Sequence, residues 1–176
     1  MHHIELRTFT EEEYHDFFRS YEPDPLIDPH PFVYDPQQIS ISYRYNHEGY
    51  RENYCHYGIF ADGKPVGSFQ LKRIDPKNRT CEFGIILQNE QVRNQGIGTE
   101  AIRLGIKEAE RFGILLLIGD TMGRNKRMQR VFDKLRFHLR EIRHEGFCLS
   151  DGTTDDCLIY EKKIIGGIKT DVQCHP

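Results

Sequence analysis

The stretch that decides the fold is Cys81–Ala101, CEFGIILQNEQVRNQGIGTEA. It begins as an apolar strand, continues through a polar turn into a loop that holds Gly96 and Gly98, and then enters a helix. A glycine loop before a helix presents unpaired backbone N–H groups and the positive end of the helix dipole, which together suit a phosphate. Arg93 adds a permanent cation three residues before the first glycine. The stretch therefore predicts a cradle for a diphosphate.

The composition is that of an ordinary globular domain. With 176 residues, 38% of them hydrophobic, the chain is long enough for one sizeable core and most simply forms one domain. Its net charge of −3 argues against binding to nucleic acid, which needs a basic face. The cysteines include no C-x-x-C pair, so we expect no metal. The opening residues MHHIELRTF lack an apolar signal region, and no run is long enough to span a membrane, which favours the cytoplasm and no membrane partner.

Hydrophobic periodicity and turn signals predict the element order β-α-α-β-β-β-α-β-α-β-β. In chain order the predicted elements cover residues 4–9, 11–20, 36–46, 54–61, 66–74, 80–88, a helix from the glycine loop to Gly113, 114–118, 125–135, 137–149 and 156–165. The helix over 36–46 rests on its start chemistry, Asp35-Pro36, because the following ISISYRY has a strand-like period. The predicted fold class is α/β (α+β), with a central, mixed, mostly antiparallel sheet of about seven strands and helices on both faces. One domain is expected over residues 1–165, followed by a tail at 166–176.

Two interpretations compete for the glycine loop. Gly96 to Ala101 satisfies the dinucleotide pattern G-x-G-x-x-G/A, and Asp120 ends the next strand about where a ribose-binding acid is expected. That fold needs the strand to run directly into the first glycine, whereas Gln88–Gln95 is an eight-residue segment with one apolar member. The three antiparallel strands upstream also contradict a parallel, doubly wound sheet. A dinucleotide-dependent oxidoreductase is therefore the outsider among the hypotheses.

The other interpretation starts at Arg93. The pattern Arg93-x-x-Gly96-x-Gly98 resembles the acetyl-CoA signature R/Q-x-x-G-x-G/A of the GNAT superfamily of N-acetyltransferases. Residues 125–137, NKRMQRVFDKLRF, resemble the second signature of that family, N-x-x-S-x-x-x-Y-x-K-x-G-F. The opening LRTFTEEE and the ending HEGFCLSDGTTDDCLIYEKKI are similar to the branch that acetylates the N-terminal alanine of ribosomal proteins. The resemblance covers about residues 4–165.

The resemblance implies an acetyl-CoA-dependent N-acetyltransferase that moves an acetyl group to a primary amine by direct attack in a ternary complex. Acetyl-CoA is then a co-substrate, and a diphosphate held by oriented N–H groups needs no metal. The backbone at the end of the strand is implied to pair with the pantetheine arm, and the loop amides to hold the pyrophosphate. The residues implied to bind the cofactor are Ile86, Leu87, Gln88, Arg93, Asn94, Gln95, Gly96, Ile97, Gly98, Thr99, Asn125 and Phe132.

The chemistry of transfer needs a base for the amine and a donor for the oxyanion. Asp120, at the end of a buried strand, and Glu82, on the preceding strand, are the candidate bases. The family's thiol-protonating tyrosine falls at Phe132, which cannot donate a proton and is expected to pack against the cofactor thioether. We therefore predict either that water or another side chain protonates the thiolate, or that catalysis is slow. An acyl-CoA-binding module with weak or lost catalysis is the alternative function.

The acceptor is expected to be a small-molecule amine or a protein N-terminus. The segment between the first two helices combines acidic and aromatic side chains, which would suit a cationic amine, and a solvated proline loop is the alternative. Those side chains are Glu22, Asp24, Asp28, Phe32, Tyr34 and Asp35. The interpretation leaves a homodimer open.

Overall fold

The computed structural model describes residues 2–28, 30–48 and 51–164. The tail predicted at 166–176 lies outside the described residues. The described chain forms eleven elements in the predicted order, and no helix in these ranges is long and apolar enough to cross a membrane. The elements are β1 Ile4–Arg7, α1 Glu11–Arg19, α2 Pro36–His47, β2 Tyr54–Ala61, β3 Lys64–Asp75, β4 Thr80–Leu87, α3 Ile97–Arg111, β5 Leu116–Met122, α4 Lys126–Lys134, β6 His138–Cys148 and β7 Thr154–Lys163.

The seven strands form one sheet in the order β1-β2-β3-β4-β5-β7-β6. Neighbouring strands are antiparallel, with β4 and β5 as the one parallel pair described. That pair is parallel because α3 carries the chain back across the sheet between the two strands. The mixed, mostly antiparallel sheet of seven strands is thus confirmed.

Local chemistry starts the first two helices. Thr10 and Glu13 form a capping box, since the Glu13 N–H donates to Thr10 Oγ1 (3.2 Å) and the Thr10 N–H donates to Glu13 Oε2 (2.9 Å). Asp35 accepts hydrogen bonds from the N–H groups of Gln37 and Gln38, at 2.8 and 3.2 Å. This cap, with proline at the first helical turn, makes α2 a helix in spite of the strand-like period of its sequence.

The fifth strand begins later than predicted, at Leu116 rather than at Ile114. Ile114 is fully buried, as an apolar run suggests, but its N–H donates to the Ala109 carbonyl at 3.1 Å. That amide therefore closes the end of α3 and is not available to the sheet.

Helices cover both faces of the sheet, as predicted. Ile59 and Phe60 are adjacent on β2, point to opposite faces and are both 0% exposed. Ile59 belongs to the larger core, beneath α3 and α4, and Phe60 belongs to a smaller aromatic core with Tyr14 and Phe17 of α1. The site described next lies where these two layers meet.

The sheet opens between β4 and β5. The two strands pair only over Thr80–Glu82 and Leu116–Ile118. Beyond those positions β4 continues to pair with β3 as far as Leu87, and β5 continues to pair with β7 as far as Met122. The strands therefore diverge, and the edge of each that faces the other carries no ladder. We call this opening the gap.

Candidate active site

A cleft of about 410 Å³ lies at the carboxyl end of β4, beside the gap. Its walls are the end of β4, the start of α3, one side of α4 and the segment Tyr21–Asp28, which we call the strap. The cleft brings together many of the residues predicted to bind a cofactor although they come from separate parts of the chain. Those that line it are Ile86, Leu87, Arg93, Asn94, Gly96, Gly98, Thr99 and Asn125.

The glycine loop leaves its amides available. Gly96 is the N-cap of α3, with φ +82°, and it provides no side-chain cap to the helix. Asn94 is also in the left-handed region, at φ +62°. Such a turn points successive N–H groups to one side, and the uncapped first turn of α3 adds the positive end of its dipole. The loop is therefore suited to the pyrophosphate that was predicted for it.

Arg93 is used differently from the prediction. Its side chain is 11% exposed, and its Nη2 atom donates to the carbonyls of Glu22 (2.5 Å) and Leu87 (3.3 Å). Arg93 therefore fastens the strap to the end of β4. It contributes its charge to the cleft wall, but its Nη2 donors are occupied by protein carbonyls.

The backbone of β4 corrects the predicted pantetheine contacts. Gln88 does not line the cleft: its N–H donates to Val66 at 2.8 Å and its carbonyl accepts from the Glu22 N–H at 2.7 Å. Because opposite residues in an antiparallel ladder exchange hydrogen bonds at alternate positions, Ile86 also directs its backbone groups to β3. The backbone groups that face the gap belong to Ile85 and Leu87. Sequence reasoning missed Ile85, although the alternation of the predicted hairpin could have indicated it.

Phe132 does not line the cleft, contrary to the expected contact with the cofactor thioether. The ring is 0% exposed and stacks on Tyr160, with centroids 4.4 Å apart and an angle of 12° between the planes. Phe83 and Phe137 close the other sides of the ring, with centroids at 6.1 and 5.1 Å. Phe132 is therefore part of the core beneath α4, because three other aromatic rings fill the space around it.

Two further predicted residues turn their side chains away from the cleft. Gln95 Oε1 accepts a hydrogen bond from His2 Nε2 (2.9 Å), and Ile97 is buried in the main core. Their predicted role concerns the backbone amide and is compatible with both placements. It stays a prediction.

The candidate bases lie on one face of the sheet at the gap. Glu82 is the last paired residue of β4, opposite Ile118, and Asp120 is two residues further along β5, so both side chains are on the same face. Neither lines the cleft. The Arg73 guanidinium donates a hydrogen bond to Glu82 Oε1 at 2.8 Å. This hydrogen bond, followed by the charges of Glu82 and Asp120, raises the pKa of Arg73. Asp120 is exposed and makes no ion pair within the described ranges.

The start of α4 supplies both a cap and a cleft wall. Asn125 Oδ1 accepts from the Met128 N–H at 3.1 Å, so Asn125 is the N-cap of α4, and the residue also lines the cleft. Arg127, Arg130 and Lys134 follow on the same side of the helix. The sequence analysis did not single out these cations, although their spacing of three and four residues marks one helical face.

The strap is less acidic towards solvent than its sequence suggests. Asp24 is buried and forms an ion pair with Arg127, and Asp35 is used as the cap of α2. Phe32 packs on Tyr21, with ring centroids 5.3 Å apart, in the smaller core. The exposed carboxylates of the strap are therefore those of Glu22 and Asp28, and Asp35, which lies beyond the strap, is also exposed but is engaged as the cap of α2.

The glycine loop before the uncapped start of α3, beside the end of β4, fits the acetyl-CoA cradle that the resemblance to the GNAT acetyltransferases implies. A family model described as the acetyltransferase (GNAT) domain matches residues 3–138. The chain therefore belongs to the GNAT acetyltransferase family. A comparison with the curated proteins finds no matching relative.

Solved structures share the fold at low sequence identity. RimL, a ribosomal L7/L12 alpha-N-protein acetyltransferase in complex with coenzyme A, is 20% identical with a TM-score of 0.75, over 92% of this chain and 94% of that chain. A Salmonella typhimurium acetyltransferase that modifies the N-terminal serine of ribosomal protein L7/L12 is 19% identical with a TM-score of 0.74, over 92% and 95%. The microcin C7 self-immunity acetyltransferase MccE, in complex with acetyl-CoA and AMP, is 22% identical with a TM-score of 0.70, over 92% of each chain.

Proposed function

We propose that the protein transfers the acetyl group of acetyl-CoA to a primary amine, with both substrates bound together. The observation that carries the proposal is the gap, where the backbone groups of Ile85 and the N–H of Leu87 face no neighbouring strand and lead towards the uncapped start of α3. The Leu87 carbonyl is already bonded to Arg93. An extended amide-containing arm can add to such an edge as a further strand does, and a diphosphate can end on the loop amides. This arrangement matches the two halves of the CoA molecule.

In the transfer step a neutral amine nitrogen forms a bond to the acetyl carbon, and the bond from that carbon to the CoA sulfur breaks. The amine loses its proton to a base, for which we propose Asp120, directly or through water. Glu82 is the second candidate, but its carboxylate must leave the Arg73 ion pair before it can accept a proton. Backbone N–H groups at the gap are placed to stabilise the oxyanion. We propose that water protonates the CoA thiolate, since Phe132 has no hydroxyl and is buried.

The acceptor that we propose is a cationic primary amine, either a protein N-terminus or a small molecule. The exposed carboxylates Glu22 and Asp28 on the strap and Asp120 at the gap favour positive charge. Two of the similar structures are described as acting on the N-terminus of a ribosomal protein, and MccE is described as a microcin C7 self-immunity acetyltransferase in complex with acetyl-CoA and the small molecule AMP, which supports both kinds of acceptor.

We further propose one catalytic domain over residues 1–165, since β6 and β7 complete the sheet beyond the family match and end at Lys163. Dependence on acetyl-CoA favours the cytoplasm as the compartment. An acyl-CoA-binding module with weak catalysis is the second candidate, and the burial of Phe132 favours it. A dinucleotide-dependent oxidoreductase is not proposed, because the sheet is mostly antiparallel.

The proposal is tested in two stages. The purified protein is first titrated with acetyl-CoA, CoA and NAD, and we expect binding of the first two only. Release of the CoA thiol is then followed with a thiol reagent, using peptides with free N-termini, polyamines and aminoglycosides as acceptors. Release that depends on an amine supports the transferase. CoA binding without release supports the binding module, and no CoA binding overturns both.

A further inference from the structure

The core closes one face of the gap at its narrow end. Phe83 belongs to the larger core beneath α3 and α4, and a Cβ on Gly119 would overlap the Phe83 ring, so the two strands are packed together on that face. Gly84 and Asp120 follow these residues and therefore point to the opposite face. Gly84 carries no side chain and Asp120 is exposed. An amine therefore approaches a group held in the gap from the face of Gly84 and Asp120.

Gly84 and Asp120 lie opposite each other across the gap. Each is two residues beyond the last pair of the two parallel strands, Glu82 and Ile118. Because parallel strands run in the same direction, the two residues are at the same level of the sheet as well as on the same face. They mark the place where β4 and β5 begin to diverge.

Lys72 brings a primary amine of the protein to this place. It is the partner of Glu82 on β3, and its side chain extends along the sheet towards Gly84. The Nζ atom lies 3.9 Å from the point that a Cβ on Gly84 would occupy. The amine is therefore beside the open face of the gap, on the side opposite the Asp120 carboxylate.

The Lys72 amine is not held by a carboxylate. Its cross-strand partner Glu82 is bound by Arg73 at 2.8 Å instead. Arg73 lies where the β3–β4 register is irregular, with φ +50°, and such a bulge redirects a side chain. Among the residues that the structure describes, Lys72 forms neither an ion pair nor a side-chain hydrogen bond, and it is only half-buried. Its Nζ atom is therefore available as a nucleophile.

The proposed binding of acetyl-CoA directs the acetyl group to the same place. The diphosphate lies at the start of α3, beyond Leu87, and the arm follows the edge of β4 back from Leu87 to Ile85. The next position in that direction is the narrow end of the gap, beside Gly84. The acetyl group at the end of the arm would thus meet both the Lys72 amine and the Asp120 carboxylate.

We propose that the protein acetylates its own Lys72. This inference rests on the proposed function, because it takes acetyl-CoA as the donor and Asp120 as the base. The ammonium group gives a proton to Asp120, directly or through water, and the neutral Nζ atom forms a bond to the acetyl carbon as the bond from that carbon to sulfur breaks. The nitrogen loses a second proton as the amide forms. Of the two protons, one ends on the CoA sulfur and the other in solvent.

The test follows the acetylation of each lysine in the absence of any added amine. The purified chain is incubated with isotopically labelled acetyl-CoA, and the labelled sites are located by peptide mass spectrometry at several protein concentrations. Lys72→Arg keeps the positive charge but removes the nucleophile. Lys77→Arg is the matched control, since Lys77 is an exposed lysine in the turn between β3 and β4. Asp120→Asn tests the base, and thermal unfolding establishes that each variant is folded.

We expect Lys72 to gain label about tenfold or more faster than Lys77, because its amine is held beside the acetyl group. The rate should not change on dilution, since donor and acceptor are bound to one chain. Labelling should be lost in Lys72→Arg and kept in Lys77→Arg. In Asp120→Asn the rate at Lys72 should fall to that at Lys77. Acetyl groups already present on Lys72 after purification count as support where Asp120→Asn lacks them.

Three results would overturn the inference. They are equal labelling of Lys72 and Lys77, an unchanged rate at Lys72 in Asp120→Asn, and a rate at Lys72 that rises with protein concentration. If added amines still release the CoA thiol, the proposed function stands in each of these cases. Failure of the wild-type chain to bind acetyl-CoA would overturn the proposed function, and this inference with it.

Discussion

Phe132 stacks on Tyr160 with ring centroids 4.4 Å apart, at the position to which the family resemblance assigns a thiol-protonating tyrosine. The ring is enclosed on every side by the core beneath α4. We therefore expect Phe132→Tyr to bury a hydroxyl without a partner, which costs about 1–3 kcal/mol of the free energy of unfolding. Turnover should not rise at any pH.

The measurements for Phe132→Tyr are denaturant unfolding and a pH–rate profile. Tyr160→Phe is the control, because it removes a hydroxyl from the same stacked pair and should change stability less. A Phe132→Tyr enzyme that keeps its stability and turns over faster at high pH would show that the hydroxyl is missed and that the buried placement is wrong.

Substitution of the two loop glycines should separate folding from ligand binding. Gly96 has φ +82°, so Gly96→Ala places a Cβ in a strained backbone conformation and should cost about 1 kcal/mol. Gly98 lies in the first turn of α3 without positive φ, and a Cβ there would be 3.6 Å from Leu87 Cδ1, an ordinary contact. Gly98→Ala should leave the melting temperature unchanged or higher while it weakens CoA binding, because the methyl group obstructs the approach to the amides. Both effects are read from thermal unfolding and calorimetry, and intact CoA affinity in Gly98→Ala would contradict the cradle.

Two buried histidines should make the fold sensitive to acid. His56 Nδ1 lies 2.9 Å from His47 Nε2, and His56 Nε2 lies 2.6 Å from Ser68 Oγ. Burial, followed by the charge of Arg51, lowers the pKa of His47 to about 4. Burial, followed by the charges of His47 and Arg51, lowers the pKa of His56 to about 3.

The sign follows from proton linkage. Below the ordinary pKa of about 6.5, the unfolded chain takes up protons on these histidines and the folded protein does not, so stability is full above pH 6.5 and falls towards pH 3–4. Each histidine contributes a slope of about 1.4 kcal/mol per pH unit at most. Denaturant unfolding between pH 7.5 and 4.5 measures this loss. His56→Gln should flatten the curve, whereas the exposed His144→Gln should not, and the reverse outcome would contradict the assignment.

The strap should loosen when its ion pair with α4 is removed. Asp24→Asn removes the carboxylate charge that pairs with the partly buried Arg127 guanidinium. Arg127 then keeps only its ion pair with the exposed Glu90. We expect a loss of stability of about 1–3 kcal/mol and faster amide exchange over residues 21–28 than over the rest of the chain. Arg19→Gln breaks the exposed Arg19–Asp16 pair of α1 and should change stability by less than about 0.5 kcal/mol. Uniform exchange rates in Asp24→Asn would show that the pair does not hold the strap.

The two carboxylates at the gap should differ in their effect on the rate. Asp120→Asn removes an unpaired carboxylate and should lower kcat/KM about 100-fold, with partial recovery at higher pH as the amine deprotonates by itself. Glu82→Gln removes a carboxylate that Arg73 already binds and should have an effect under about tenfold. Glu161→Gln, on the same face of the sheet, is the control. A larger loss in Glu82→Gln than in Asp120→Asn would reverse the two roles.

Local chemistry is what made much of this structure predictable. The capping box at Thr10, the cap at Asp35 and the hairpin turn at Asp62-Gly63 each act over a few residues, and the structure contains all of them. The Asp35 cap makes residues 36–47 a helix although their sequence has a strand-like period, because helix initiation depends on the first turn. The glycine loop was predictable for the same reason, since the turn before α3 requires a positive φ, and Gly96 itself supplies it.

Contacts between distant parts of the chain were not predictable. Arg127 and Asp24 are 103 residues apart in sequence, and no local pattern pairs them. The sequence shows that Arg93 is a cation. Only the folded structure shows that its guanidinium donates hydrogen bonds to the carbonyls of Glu22 and Leu87. The direction in which a β4 backbone group points depends on the register of β4 with β3. For this reason the backbone groups of Ile85 face the gap, and those of Ile86 do not.

The sequence by itself determined the order of the elements, the helix starts and the glycine loop before α3, because each depends on interactions among residues close in the chain. The tertiary structure alone decided which groups face the cleft. Divergence of β4 from β5 exposes the edge at Ile85 and Leu87, and packing against Tyr160 removes Phe132 from the site. These outcomes depend on how strands and helices far apart in sequence share space, which short-range preferences do not specify.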